Sequence, residues 1–315
     1  MFLDVIVRNN HTMTGFILVG FSDVPHLRYI LFVVFLCIFK MSLAAHMFLI
    51  FLYRFSPNLQ TPMYFFLANF SLMEICYILT IDPKMLQVLL SQQKTISFYG
   101  CATQMFMFHL FAGSECFMLA AMGYDRYNAI CNPLLYNILR HKVTCMKLIC
   151  GSWFIGAIVA IVQTILMFSL PFCRSHIINH FYCDVPPVLA LACADTHIHE
   201  ITTMFFTLSV VVGSFILTVI SYSLIIWTIF KTHSASVRKK AFSTCTSHIL
   251  VVTMFYGSGS VMYLRPKSSY GMGEDKFISL MYTVIAPLLN PFIYSIRNND
   301  VISAVRRCKN AKYFF

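Results

Sequence analysis

Charge is what this chain has least of. Asp, Glu, Lys and Arg make up 11% of its 315 residues, where an ordinary globular domain carries about 25%. Apolar residues make up 58%. A soluble chain of this length cannot hide so much apolar surface, whereas a chain embedded in lipid does not need to. The little charge present is lopsided, giving a formal net charge of +11. Yet the basic residues are scattered between apolar runs and form no contiguous patch. That excludes nucleic acid as the partner and points to orientation in a bilayer. Other features are missing too. No internal repeat is evident, which argues against transporter folds built from duplicated halves. There is no His-Glu-x-x-His motif, and no nucleophile constellation accompanies the buried acids, so the sequence does not describe an intramembrane enzyme. Residues Met1–Arg28 hold Asp4, Arg8, Asn9, Asn10 and Asp23 and lack the unbroken apolar core of a cleavable signal peptide. The first membrane span is therefore expected to serve as the targeting element.

What is present is a series of apolar runs, each near the roughly 20 residues a bilayer requires. Seven spans are expected: Tyr29–Leu52, Pro62–Leu86, Tyr99–Ile130, Val143–Phe168, Ile201–Phe230, Lys240–Leu264 and Phe277–Ile296. The fold class is thus all-α, a seven-transmembrane bundle, divided into an N-terminal arm (1–28), a membrane domain (29–296) and a tail (297–315). With the N-terminus outside, the cytoplasmic side carries fourteen Lys and Arg residues against eight outside, the bias that positive-inside topology demands. Asn10-His11-Thr12 is a glycosylation sequon in the arm and agrees with that orientation. A second sequon, Asn69-Phe70-Ser71, falls inside an apolar run and should be inaccessible. After the last span, Val301, Ile302, Ala304 and Val305 alternate with basic residues, which predicts a short amphipathic helix on the inner leaflet.

The stretch Glu115 to Asn132, ECFMLAAMGYDRYNAICN, starts as a membrane helix and ends in charge. Asp125 and Arg126 are adjacent, flanked by Tyr124 and Tyr127, and a charge pair of this kind belongs where a helix meets water. It reads as an interfacial anchor or as a switch, in which an Asp holds an Arg until a cytoplasmic partner competes for it. Glu74 and Glu115 are carboxylates inside spans, and two carboxylates in a bundle core can bind a cation or share a proton. Asn290-Pro291-x-x-Tyr294 lies late in the last span, where proline removes a backbone donor and bends the helix. Cys101, Cys173, Cys183 and Cys193 are an even set in an oxidising compartment and allow three pairings. Cys37, Cys76 and Cys150 lie within apolar helices and read as small packing residues.

MGYDRYNAICNPLLY closely resembles the Asp-Arg-Tyr signature of vertebrate olfactory receptors, a family of rhodopsin-like G-protein-coupled receptors. TPMYFFLANFSLMEICY (Thr61–Tyr77), LPFCRSHIINHFYCDVPPVLALACADT (Leu170–Thr196), KAFSTCTSHILVV (Lys240–Val252) and PLLNPFIYSIRN (Pro287–Asn298) match in the expected order. The resemblance covers nearly the whole chain. It implies the pairings Cys101–Cys183 and Cys173–Cys193. It implies a switch made of Asp125, Arg126, Tyr127, Tyr222, Asn290, Pro291 and Tyr294, with Tyr222 and Arg126 meeting in an active arrangement. It suggests Glu74, Glu115 and Ser71 for a sodium ion in the bundle core. His176, His180, Cys183 and Asp184 have metal-ligand spacing, but an oxidised Cys183 has no thiolate to offer, so no metal site is expected there.

Helical spacing and family position together place a ligand pocket among Phe108, His109, Ala112 and Gly113, Phe206 and Val210, Tyr256, Gly259, Ser260 and Tyr263, and Thr283. The set is poor in charge, so the implied ligand is a small, volatile, mostly apolar odorant with one hydrogen-bonding group, met by His109, Ser260, Tyr263 or Thr283. The implied partners are a stimulatory olfactory-type heterotrimeric G protein that raises cyclic AMP, a trafficking chaperone and the lipid bilayer. A same-fold receptor for a metabolite outside the nose and, as a different class, a transporter are the competing readings. The chain also departs from the family pattern. Ala45-His46 replaces Gly-Asn, Lys40 lies near mid-span, and Gly123, Asn128, Leu135 and Asn137 are unusual around the Asp-Arg-Tyr cluster. The Asn of that pattern serves the polar core beside Glu74, and His46 is expected to do so less well or to add pH dependence.

Overall fold

The computed structural model describes residues 14–21, 25–91, 93–133, 136, 142–173, 175–232, 234–263, 274–296 and 298–310. Among these residues, seven long helices cross the molecule: α1 (Arg28–Phe55), α2 (Pro62–Leu90), α3 (Phe98–Cys131), α4 (Lys142–Phe168), α5 (His197–Lys231), α6 (Ala235–Tyr263) and α7. The last runs as Glu274–Leu280, a π-helical turn Met281–Ile285, and Ala286–Ile296. A shorter helix, α8 (Asn299–Asn310), follows. At 1.5 Å per residue, helices of this length span the hydrocarbon core. Six of the seven are apolar enough to cross a membrane by composition alone; α6 is the exception, being rich in Ser and Thr. It also begins at Ala235 rather than Lys240, so Arg238 rides on an aqueous extension of the helix and is exposed there.

The outward faces confirm what surrounds the bundle. Phe154, Ile165, Trp227 and Phe230 are all more than 60% exposed, an arrangement intolerable in water and natural in lipid. Near the end of α5, the Lys231 ammonium lies 4.6 Å from the centre of the Trp227 ring, pairing a basic and an aromatic residue as membrane interfaces favour. Lys40 is on the exposed face of α1. Its ammonium can reach polar headgroups only by extending its stem along the helix.

α3 is the central strut, packed against α2, α4, α5 and α6. Its approach to α4 depends on two glycines. A β-carbon added to Gly113 would lie 3.3 Å from Gly156 Cα, and one on Gly156 would lie 2.2 Å from Ser114 Oγ and 2.6 Å from the Leu110 carbonyl oxygen. Small residues let membrane helices come this close.

One end of the bundle carries a structure that hydropathy does not reveal. β1 (Gly15–Leu18), from the arm, pairs antiparallel with β2 (Thr95–Ser97) and parallel with β3 (Ile177–Ile178). The arm thus supplies the central strand of a small three-stranded sheet. Phe16 and Leu18 are buried beneath it, against Ile96, Cys101, Met105 and Ile178. The pairings Cys101–Cys183 and Cys173–Cys193 are both present, with Cα separations of 5.6 and 5.8 Å; the first fastens the long loop to the top of α3 and the second closes the loop on itself. Asn10 lies outside the described residues.

At the opposite end, α8 buries Val301 and Ala304 while Arg306 and Arg307 face out. The Tyr64 hydroxyl of α2 donates to Asn298 Oδ1 at 2.8 Å, anchoring the start of α8.

Candidate functional site

Between the upper halves of α3, α5 and α6 lies a cavity of about 90 Å3, room for a small ligand only. Phe108, His109, Ala112, Gly113, Val210, Tyr256 and Gly259 line it, as the spacing argument anticipates. Phe206, Ser260 and Thr283 do not. Thr283 is fully buried, and its hydroxyl is spent on the Ser279 carbonyl at 2.7 Å. The Tyr263 side chain lies outside the described residues. Sequence reasoning missed Tyr77, Cys116, Val159, Thr207, Val211, Phe255 and Tyr282. Tyr77 and Tyr282 come from α2 and α7, and Val159 from α4, helices whose rotation about their own axes hydropathy does not fix.

The Tyr256 hydroxyl lies 3.0 Å from the Cys116 carbonyl oxygen and 2.9 Å from Ser214 Oγ. One phenol therefore links α6 to α3 and α5 at the cavity wall. Ser214 is itself held by the Val210 carbonyl at 2.6 Å.

The long loop packs behind the cavity lining, where its Tyr182 meets Phe108 and Tyr282. The Cys183 N–H donates to Gln104 Oε1 at 2.9 Å, and Gln104 Nε2 donates to the Thr80 carbonyl at 3.0 Å, so one side chain ties the loop to α3 and α2. Gln104 follows Cys101 by three residues and so shares its helix face, the one signal from which it could have been found. Tyr182 donates to Asp184 Oδ2 at 2.9 Å and also bonds the Tyr282 hydroxyl. His180 Nε2 meets Ser279 Oγ at 3.1 Å. Burial pushes the His180 imidazole down to about 3, and the positive charge of Lys276 adds to the effect. Burial raises the Asp184 carboxyl, opposed by His109 and by the hydrogen bonds it accepts. The loop is thus a packed wall with a neutral His180 at physiological pH.

Below the cavity, Asn290 Nδ2 donates to Glu74 Oε1. Glu115 lies within electrostatic reach of Glu74. Ser71 Oγ, Glu74 Oε2, Glu115 Oε1 and Asn290 Oδ1 are buried with no hydrogen-bond donor to them among the described residues, and the Glu74 and Glu115 carboxyls are close enough to share a proton. Such a set of orphaned oxygens fits a hard monovalent or divalent cation, which takes oxygen donors. His46 does not turn to Glu74, as the sequence suggested. Its Nε2 donates instead to the Pro287 carbonyl oxygen at 2.9 Å. The reason lies in the sequence: residue 291 is proline, has no N–H, and so leaves the carbonyl four residues earlier without its helical partner. His46 fills that gap from α1.

The switch residues are gathered at the other end of α3, in an arrangement that local spacing does not disclose. Asp125 is buried, and its Oδ1 accepts from the Tyr136 hydroxyl at 3.0 Å. Its partner is that loop tyrosine rather than Arg126, which makes no ion pair among the described residues. Tyr222 on α5 pairs with His248 Nδ1 on α6 at 2.6 Å and stacks on its ring, instead of meeting Arg126. The Tyr294 hydroxyl is buried with no hydrogen bond among the described residues. Gly123 faces this pair: a methyl there would sit 3.7 Å from Ser221 Cβ and 3.8 Å from the Tyr222 ring, at ordinary contact distance. The usual Ala would therefore fit. Asn128 only bonds back to the Tyr124 carbonyl at 3.0 Å.

A seven-helix membrane bundle with a cavity toward one end and an Asp-Arg-Tyr cluster at the other defines the class of G-protein-coupled receptors. A family model described as olfactory receptor matches residues 34–312. The chain is 47% identical over 303 residues to olfactory receptor 10A7 of Homo sapiens, covering 96% of each. It is 48% identical over 300 residues to olfactory receptor 5A2 of Homo sapiens, covering 95% of this chain and 93% of that one. It is also 48% identical over 300 residues to olfactory receptor 5AP2 of Mus musculus, covering 95% of each. The chain belongs to the olfactory receptor family. It is an odorant-sensing, multi-pass plasma-membrane receptor and not an enzyme.

Proposed function

We propose that a small, volatile, largely apolar odorant enters the cavity between α3, α5 and α6 and favours an arrangement of the bundle that promotes nucleotide exchange on a stimulatory olfactory-type G protein, raising cyclic AMP. The observation that carries this reading is the Tyr256 hydroxyl, which lines the cavity while holding α6 to α3 and α5. A ligand that prefers a different setting of Tyr256 shifts the population of helix arrangements, and its differential affinity is all the energy available for the shift. Tyr222 then exchanges His248 for Arg126 and Tyr294, and Arg126 becomes the contact for the G protein. Cilia of olfactory neurons are the expected location, reached with the help of a trafficking chaperone.

The test is cyclic AMP in cells co-expressing the full chain, a chaperone and an olfactory-type G protein, screened against a volatile panel with surface staining. The expected result is a dose-dependent rise that Arg126→Ala abolishes without loss of surface receptor. An undiminished rise in the Arg126→Ala receptor would remove the switch from this reading.

Ser71, Glu74, Glu115 and Asn290 would hold a sodium ion, whose charge would offset the two acids and favour the arrangement without agonist. Raising external sodium is then expected to lower basal cyclic AMP, and Glu74→Gln with Glu115→Gln to remove that sensitivity. Equal sodium responses in the double variant and the parent would dispose of the ion.

A further inference from the structure

The polar groups lining the cavity are of two kinds. Tyr77, Thr207, Tyr256 and Tyr282 bring hydroxyls, each able to donate or to accept. His109 differs. Its Nδ1 lies 2.8 Å from the main-chain oxygen of Met105, one turn back on α3. A carbonyl oxygen carries no hydrogen, so Nδ1 is the donor in that bond. A neutral imidazole has a single N–H, which leaves Nε2 as an acceptor only. Nothing else in the described residues hydrogen-bonds to Nε2. Asp184, the nearby acid, is already engaged: Oδ1 accepts from the Val185 N–H at 2.8 Å and Oδ2 from the Tyr182 hydroxyl at 2.9 Å.

We infer that this receptor discriminates ligands by the direction of a hydrogen bond: the lone pair on His109 Nε2 selects compounds carrying a hydroxyl donor, alcohols and phenols, over ketones and ethers of the same carbon frame. The inference rests on the cavity being the odorant site. An alcohol satisfies Nε2 and gives up little in return. A ketone or ether sets its own lone pairs against that of Nε2 and leaves the nitrogen desolvated without a donor. Sites built around one buried hydrogen bond reject analogues that cannot make it far more strongly than apolar walls reject a change of shape. The hydroxyls can serve either class of ligand, and the apolar lining, with Phe108, Ala112, Val159, Val210, Val211 and Phe255, is indifferent to polarity.

The experiment uses the full chain in the cyclic AMP assay with a series of secondary alcohols, each matched by the ketone and the methyl ether of the same frame. Alcohols are expected to act at concentrations about tenfold or more below their matched ketones and ethers, the value of one buried hydrogen bond made rather than lost. His109→Phe should raise the alcohol concentration needed by a similar factor and leave ketones unchanged, with normal surface staining. His109→Gln, whose amide offers both an acceptor and a donor, should keep the alcohol response and improve that of ketones. Ketones matching or exceeding alcohols in the parent receptor would overturn the inference, as would an alcohol preference that survives in His109→Phe. In either case an Arg126-dependent response would leave the odorant-receptor reading standing. Silence of a surface-expressed receptor toward every compound of the series and of a broad volatile panel would overturn that reading and the inference with it.

Discussion

Replacing Gly156 by Ala is expected to remove most of the receptor from the cell surface. The added carbon would have to occupy space 2.2 Å from Ser114 Oγ, 2.6 Å from the Leu110 carbonyl oxygen and 2.9 Å from the Ser114 nitrogen. Ser114 can rotate its hydroxyl away, but the two main-chain atoms belong to α3 and can retreat only if the helix moves. Overpacking of this kind costs about 1–3 kcal/mol, and more where backbone must shift. α3 is the strut on which four other helices pack, so its displacement is felt throughout the bundle. Gly151 on the same helix has nothing within 4 Å of its added carbon, which makes Gly151→Ala the matched control. Surface staining normalised to total receptor is the measurement. Equal values for the two variants would mean that α3 and α4 do not rely on the close crossing.

The second large effect is expected at His248. Changing it to Phe should raise cyclic AMP in the absence of any odorant. The Tyr222–His248 bond is made across the buried interface of α5 and α6. Phe keeps the stacked ring and deletes the nitrogen, so the Tyr222 hydroxyl loses its partner in this arrangement only. A buried hydroxyl left without a partner costs about 1–3 kcal/mol, enough to shift a two-state balance roughly fivefold or more. Tyr222 then gains by turning toward Arg126. The double variant with Tyr222→Phe should return basal activity to the parent level, since no orphaned hydroxyl remains. Unchanged or lower basal activity in His248→Phe would show that the pair persists when the receptor signals.

How much of this was legible beforehand depended on which interactions are local. The spans were legible because hydrocarbon imposes a length and a composition on each. α6 was the least sharply bounded because its serines and threonines dilute the apolar signal. The pocket residues on α3 came from helical spacing taken together with the positions that the family resemblance implies. The facing residues Tyr77, Phe255 and Tyr282 did not, because they depend on how α2, α6 and α7 are rotated against α3. Partners were harder still. Asp125 was read with its neighbour Arg126, and the structure gives it Tyr136; Tyr222 was read with Arg126 for an active arrangement, and in this one it pairs with His248. His46 is the instructive case. Its partner, the Pro287 carbonyl, was implied all along by Pro291, since a missing N–H four residues later always leaves an oxygen to be satisfied.

The sheet formed by the arm has a consequence for how the receptor is made. β1 is translated before any helix, yet one of its partners, β3, lies about 160 residues downstream, beyond the fourth crossing of the membrane. A segment that leaves the ribosome early is therefore among the last to find its place. Until the long loop has been threaded across the bilayer and clipped by its cystines, Phe16 and Leu18 have nowhere to bury, and the nascent protein presents an unpaired strand to the lumen of the secretory pathway. A quality-control factor that recognises that strand would hold back every copy whose loop has not closed. An affinity label fused upstream of Gly15 would be read by an antibody whether or not this closing step had taken place.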